Sequence, residues 1–166
     1  MTTKYENYSA SEGADGIADN GTDYFQTFTP QISHTISSVK LTCRKVDPTG
    51  AGTAKVSIRN TDGGGLPTGG DLSVHSVNTN TLPSSYSLFE FVLDTPIVLI
   101  AGITYAIVCH QTNTDNAWQW KVDFTTPTYS RGTSGYIVGG TATDENYDAD
   151  FEEWGNRLFI PKVTII

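Results

Sequence analysis

The chain has 166 residues, a net charge of −8 and only 17% charged side chains, which suits one domain. A compact fold of this size buries about 70% of the surface its unfolded chain exposes, so it needs neither disulfide nor structural metal. Its Lys and Arg number 10 and are scattered, which argues against a phosphate-tracking surface and against nucleic acid as a partner. No apolar run approaches the roughly 18 residues of a membrane span, so membrane insertion is not expected. No apolar signal segment follows Met1.

Residues 1–23 are polar and rich in Gly, Asp and Asn. They read as an N-terminal extension, partly flexible or an attachment arm. Tyr24 to Thr29 reads as the first strand, ended by Pro30. Thr35 to Arg44 alternates, with Val39, Leu41 and Cys43 inward and Lys40, Thr42 and Arg44 outward. After turn chemistry at 47–52, Thr53 to Asn60 puts Val56 and Ile58 inward and Lys55, Ser57 and Arg59 outward. The glycine-rich stretch 62–70 reads as a hairpin loop, and Leu72 and Val74 as a short strand.

Tyr86 to Asp94 buries Phe89, Phe91 and Leu93 and leaves Glu90 facing solvent. Pro96 to Ile100 reads as a separate short strand, and Ile103 to Gln111 as the next. Ala117 to Phe124 gives the cleanest alternation, with Trp118, Trp120, Val122 and Phe124 on the core face. Tyr136 to Val138 and Arg157 to Ile166 read as late strands. The last four residues, Val163 to Ile166, suit either an inward-facing strand or an apolar patch for a neighbour. No stretch sustains a 3.6-residue apolar period. Short strands at close, regular spacing predict an all-β chain, an antiparallel β-sandwich occupying 24–166 as a single domain.

The residues that carry chemistry are sparse. His34, His75 and His110 lack zinc spacing and read as surface side chains. No nucleophile elbow is present, and the glycine loop lacks the ending of a phosphate cradle. Cys43 and Cys109 lie on apolar parities and suit buried thiols or one inter-strand disulfide. The run from Asp144 to Asp150 sets Asp144, Asn146, Asp148 and Asp150 at alternate positions. This is an oxygen-rich pattern suited to a hard cation, here a structural calcium, or simply a solvated acidic loop. Asp15, Asp19, Asn20 and Asp23 form a second such stretch. Trp154, Tyr129 and Tyr147 are the aromatics expected at the surface, where a sugar ring would stack. No enzymatic activity is expected.

Several phrases, taken in order, resemble the galactose-binding, carbohydrate-binding-module-like jelly roll of phage virion proteins and bacterial surface proteins. They are Phe25-Gln-Thr-Phe-Thr-Pro30, Ile36-Ser-Ser-Val-Lys-Leu41, Ala54-Lys-Val-Ser-Ile-Arg59 and Gly65-Leu-Pro-Thr-Gly69. The pair Pro96-Ile-Val-Leu99 and Ala101-Gly-Ile-Thr-Tyr-Ala-Ile-Val108 is the most diagnostic, followed by Trp118-Gln-Trp120 and by Trp154 through Ile160. The resemblance covers about residues 24–166. It departs before Trp154, where Asp150-Phe-Glu-Glu153 replaces the usual Asp-Gly-Gly turn.

The resemblance implies a jelly roll and a non-enzymatic bacteriophage virion surface protein, acting in capsid decoration or as a head- or tail-fibre component. Such a protein would be made in the host cytoplasm. Its partners would be other capsid or tail proteins, further copies of itself in a homo-oligomer (a trimer is expected) and host glycans. The alternative is a carbohydrate-binding module of a secreted or cell-surface bacterial protein. Met1 and the strand-like ending favour a free-standing chain.

Overall fold

A computed structural model describes residues 1–9, 16–17, 21–46, 52–111 and 118–158. The expectations for Asp15, Asp19 and Asn20, for the turns at 47–51 and 113–116 and for Val163 to Ile166 lie outside these residues. The strands in chain order are β1 (Thr3–Tyr8), β2 (Gly16–Ile17), β3 (Asp23–Phe28), β4 (His34–Lys45), β5 (Thr53–Thr61) and β6 (Pro67–Asn78). After one 3-10 turn at Thr79–Thr81 come β7 (Ser87–Leu99), β8 (Tyr105–Gln111), β9 (Trp118–Asp123) and β10 (Ser134–Val138). The chain continues through β11 (Thr141–Glu145), β12 (Asp148–Ala149) and β13 (Phe151–Arg157). They form two antiparallel sheets packed face to face, the expected sandwich.

One sheet has six strands in the order β11-β10-β3-β8-β5-β6. In the other, the 12-residue β4 is the hub. It carries β7 along one edge, and β13 and then β9 along the opposite edge. β1 lies outside β13, and β2 and β12 pair with β9. At one side the two sheets meet through their edge strands. Ser73 Oγ of β6 donates to the Thr95 carbonyl of β7 at 2.6 Å, and His75 Nδ1 lies 2.8 Å from Asp94 Oδ1.

The inward parities meet as expected. Val39, Leu41 and Cys43 face Val56, Ile58 and Ile107, with Phe91, Trp118, Trp120 and Phe151 filling the same core. Cys43 and Cys109 are free thiols in this interior, and burial pushes the Cys43 thiol up to about 12. Among the described residues no helix is long and apolar enough to cross a membrane.

Four expectations change. Residues 3–8 of the expected N-terminal extension are a strand of the sheet, because Glu6 and Tyr8 turn inward and find partners there. The two strands read over 86–100 are one strand. β7 jumps register opposite Ile36 and Ser38, and Leu93 to Pro96 occupy the jump, where a proline on a sheet edge removes no ladder bond. The hairpin turn is confined to 62–66, closed by Asp62 N–H donating to the Leu66 carbonyl, with Gly65 at φ +83°. Phe124 lies past the end of β9 and is exposed, edge-on to Tyr147.

Both faces of β3 are buried. Gln26 and Phe28 face the sandwich interior. Phe25 joins Ala106, Val108 and Ile137 in a second apolar cluster on the outer face of the six-stranded sheet, with Leu66 and Ala142 packed against it. Gly135 is required in this cluster: a Cβ there would sit 1.9 Å from the Thr143 carbonyl oxygen and 2.9 Å from the Phe25 ring.

Candidate binding face

The outward residues of the seven-stranded sheet form a grid. Antiparallel register places Val92, Ser38, Trp154 and Lys4 in one row across β7, β4, β13 and β1. The adjacent row holds Glu90, Lys40, Glu152 and Asn7. Strands lie about 4.8 Å apart, so each row spans roughly 15 Å. Strand alternation sends these side chains outward because their neighbours Val39, Leu41, Phe91, Phe151 and Glu153 point into the core.

The side chains of the grid bond diagonally. Lys40 Nζ lies 4.3 Å from the Trp154 ring centroid, a cation–π contact worth about 0.5–1 kcal/mol at an exposed site. Trp154 Nε1–H donates to Glu152 Oε2 at 2.8 Å, and Lys4 Nζ donates to Glu152 Oε1 at 3.0 Å. Ser38 Oγ–H donates to Glu90 Oε1 at 2.7 Å. Burial works against ionisation of Glu152, but the hydrogen bonds from Lys4 and Trp154 outweigh it and hold the carboxyl below its ordinary range. Further along the same face a groove of about 290 Å³ is bordered by Lys4, Asn7, Thr42, Leu88 and Glu152, and it shares Lys4 and Glu152 with the surroundings of Trp154. Leu88 is half exposed at the β7 side of the groove, and Val92 is half exposed further along β7. One half-buried aromatic ring, two ammonium groups, two carboxylates and several hydroxyl or amide groups therefore share a single open face.

The other aromatics expected at the surface are not on it. Tyr147 is buried, and its hydroxyl donates to the Gly135 carbonyl at 2.8 Å. Tyr129 is partly buried against the core, edge-on to Phe151, and its hydroxyl donates to Glu6 Oε2 at 3.2 Å. Burial raises both phenols. Tyr147 is carried inward by the segment entering β12, whereas Tyr129, in the connection between β9 and β10, is drawn in by its N–H bond to Asp148 and its edge contact with Phe151.

The four oxygen ligands of the acidic run do not converge. Asp144 and Asn146 are exposed, whereas Asp148 and Asp150 are buried. Asp148 accepts the Tyr129 backbone N–H at 2.8 Å and fixes the 129 loop, and burial raises its carboxyl. Among the described residues no group of three His, Cys, Asp or Glu side chains is placed to hold a metal ion. The run alternates in sequence, but the short β12 turns 148 and 149 into the sheet and separates them from 144.

Two histidines expected at the surface are buried, and both are engaged. His34 pairs with Glu153 inside the sandwich. His110 sits on the outer face of the six-stranded sheet, its Nδ1 2.8 Å from Asp23 Oδ2 and its Nε2 3.0 Å from Ser57 Oγ. The order Ser–His–Asp is that of a nucleophile triad. Yet Ser57 has no exposed surface, and its strand's N–H groups are committed to ladders on both sides. The arrangement offers a substrate neither a reachable oxygen nor free donors for an oxyanion. It continues to Asp71, whose Oδ1 accepts Arg59 Nε–H and whose Oδ2 accepts Lys55 Nζ–H, each at 2.7 Å.

Sequence alternation correctly sends Lys40 and Glu90 outward. What it misses is register: nothing in the one-dimensional pattern says that Lys40 lies beside Trp154, 114 positions along the chain. The chain matches no protein-family model, and a search of curated sequences returns no significant relative.

Proposed function

We propose that this chain is a non-catalytic adhesion domain that binds a polar polysaccharide on the Trp154 face of its seven-stranded sheet. The observation that carries this reading is the in-register grid around Trp154. A sugar ring presents C–H groups to an aromatic face and hydroxyls to its rim. Here the ring is bordered by the Glu152 carboxylate as acceptor and by the Lys4 and Lys40 ammonium groups as donors. A few convergent polar groups around an apolar platform is the usual composition of a small-molecule site. Lys40 lies over the ring, so a stacking sugar displaces its ammonium toward Glu90 or Glu152.

The proposed setting is the surface of a bacteriophage virion, as a capsid-decoration or fibre component in a homo-oligomer. It rests on the ordered phrases that resemble jelly-roll modules of virion proteins. The same face serves equally in a carbohydrate-binding module of a bacterial surface protein, so face and setting are tested separately.

Glycan-array binding followed by calorimetry tests the face. Trp154→Ala is expected to keep the fold and weaken binding about 10- to 30-fold, the loss typical of a central aromatic anchor. An empty array, or unchanged affinity in the variant, would overturn the reading. Mass spectrometry of purified particles tests the setting, and absence of the chain from them would remove it.

A further inference from the structure

A second polar cluster lies inside the sandwich, at the end of the seven-stranded sheet away from the groove, and plays no part in the binding face. His34, the first residue of β4, and Glu153 of β13 have no exposed surface. His34 Nε2 lies 2.6 Å from Glu153 Oε1, and Nδ1 lies 2.7 Å from the Ile32 carbonyl oxygen. A carbonyl only accepts, so Nδ1 carries a hydrogen. The Nε2–Oε1 contact therefore needs a proton of its own, on one atom or the other. Without it, two lone pairs face each other at hydrogen-bond distance. The other carboxylate oxygen, Glu153 Oε2, is buried and has no hydrogen-bond partner, so His34 is the support on which this carboxyl depends.

β1 leans on the same pair. The Tyr5 ring stacks on His34 with centroids 3.7 Å apart and planes 5° apart. Glu6, 1% exposed, is the register partner of Glu153. Its carboxylate is held by the Arg131 guanidinium, with Nε donating at 3.0 Å, and by the Tyr129 hydroxyl. The cation of Arg131 is thus committed to Glu6. On β13 the register partner of His34 is Arg157, which is exposed, and on β7 it is the apolar Leu99. No other charged group among the described residues is placed against the pair. β1 is an edge strand hydrogen-bonded to β13 alone, and an open cavity of about 310 Å³ bordered by Tyr5, Glu6, Gln31 and Ile32 adjoins it.

We propose that β1 is a proton-gated latch, closed while His34 and Glu153 share one proton and released from β13 when that proton is lost. Loss of the proton sets two buried carboxylates, Glu6 and Glu153, opposite each other across the β1–β13 pair, where like charges destabilise. It also forces the imidazole out of the position on which Tyr5 stacks. β1, an edge strand held by β13 alone, then opens and leaves the β13 edge unpaired.

The direction with pH follows. Burial lowers the affinity of His34 for its proton, but the Glu153 hydrogen bond and the Ile32 carbonyl outweigh it, and the net shift is upward from the ordinary value of about 6.5. The stabilisation is fully present below that value and is lost as pH rises through the folded-state value. The latch is closed in acid and opens on the alkaline side.

Amide hydrogen exchange of the intact protein between pH 6 and pH 9, corrected for the base-catalysed intrinsic rate, tests this. Protection of residues 3–8 is expected to fall at least 10-fold, while β5 and β8 keep theirs. In Glu153→Gln the carboxamide N–H donates to a neutral Nε2 without a titrating proton, so protection of β1 is expected to stay flat. An unchanged β1 in the natural protein, or the same fall in the variant, overturns the proposal. Should the variant not fold, nitrogen-detected NMR of His34 in the natural protein decides. A common midpoint for imidazole deprotonation and β1 opening supports the latch, and deprotonation with β1 unmoved sinks it.

Discussion

The two sheets turn opposite kinds of face outward. On the six-stranded sheet Phe25, Ala106 and Val108 have no exposed surface, and even Ser57 and His110 are sealed. On the seven-stranded sheet Leu88 and Val92 stand half exposed on β7, two strands away from Trp154. Their charges differ in the same sense. Both oxygens of Asp71 are taken, one by Lys55 and one by Arg59, and the network runs on through Ser57 and His110 to Asp23. The pairs around Trp154 lie at the solvent boundary, where water or a ligand hydroxyl can replace either partner at small cost. One face is a clamp with fixed partners. The other keeps its polar pairs at the solvent boundary, and it is the face on which binding is proposed.

The sharpest way to break this comparison is to truncate one apolar side chain on each face. Phe25→Ala is expected to cost about 3–5 kcal/mol, as for a fully buried aromatic. In a domain of this size that lowers Tm by roughly 10 °C. Val92→Ala is expected to stay within about 0.5 kcal/mol. Urea and thermal denaturation of the two variants measure both. Equal losses would mean that the β7 side of the seven-stranded sheet is covered in solution, and that it is not a free face.

Alternation made much of this architecture legible before any coordinates. Val39-Leu41-Cys43, Val56-Ile58 and Trp118-Trp120-Val122 lie inward as their parity requires, and Lys40 and Glu90 lie outward. The failures share a cause. Alternation tells which residues share a face of a strand, but not what lies above that face. Phe25 and His110 sit on the outward parity of their strands, yet Leu66 and Ala142 pack on the Phe25 cluster, and His110 is held between Asp23 and Ser57. His34 and Glu6 are polar yet inward, and the sign of their burial was a partner more than a hundred positions away. Of the candidate site, Trp154 was legible as a surface aromatic, whereas Tyr129 and Tyr147 were not separable from it by sequence context. The carboxylates of the 144–150 run diverge because β12 interrupts their alternation, a two-residue pairing too short to leave a pattern.

A smaller effect should separate the faces by pH. Burial opposes ionisation of Asp71, but hydrogen bonds from Lys55, Arg59 and Ser57 outweigh it and hold its carboxyl well below the usual carboxylate range. A depressed folded-state value contributes stability that is present above the unfolded value of about 3.9 and is lost as pH falls below it. Asp71→Asn is expected to cost about 1–3 kcal/mol at neutral pH, since the carboxamide keeps one uncharged acceptor oxygen and turns an NH₂ donor toward the second cation. The difference from the natural protein should shrink between pH 4 and pH 2. Denaturation midpoints across that range report it. A constant gap would mean that Asp71 acts through packing and not through its charge.

The smallest expected effect is on the open face, and its smallness is what matters. Lys4→Ala removes one of two donors to Glu152 and leaves Trp154 Nε1–H on the other oxygen. An ion pair this close to solvent is worth about 0–1 kcal/mol, and salt screens it. Tm is therefore expected to move by only about 1–2 °C. The local electrostatics should still respond: with Lys4 gone, burial of Glu152 is less well opposed, and its carboxyl should rise toward its ordinary value. Carboxyl NMR of Glu152 across an acid titration reads that rise directly. A large fall in Tm without it would mean that Lys4 holds β1 against β13 as a fixed clamp. The Trp154 face would then resemble the sealed face of the other sheet, with no partner to exchange for a sugar.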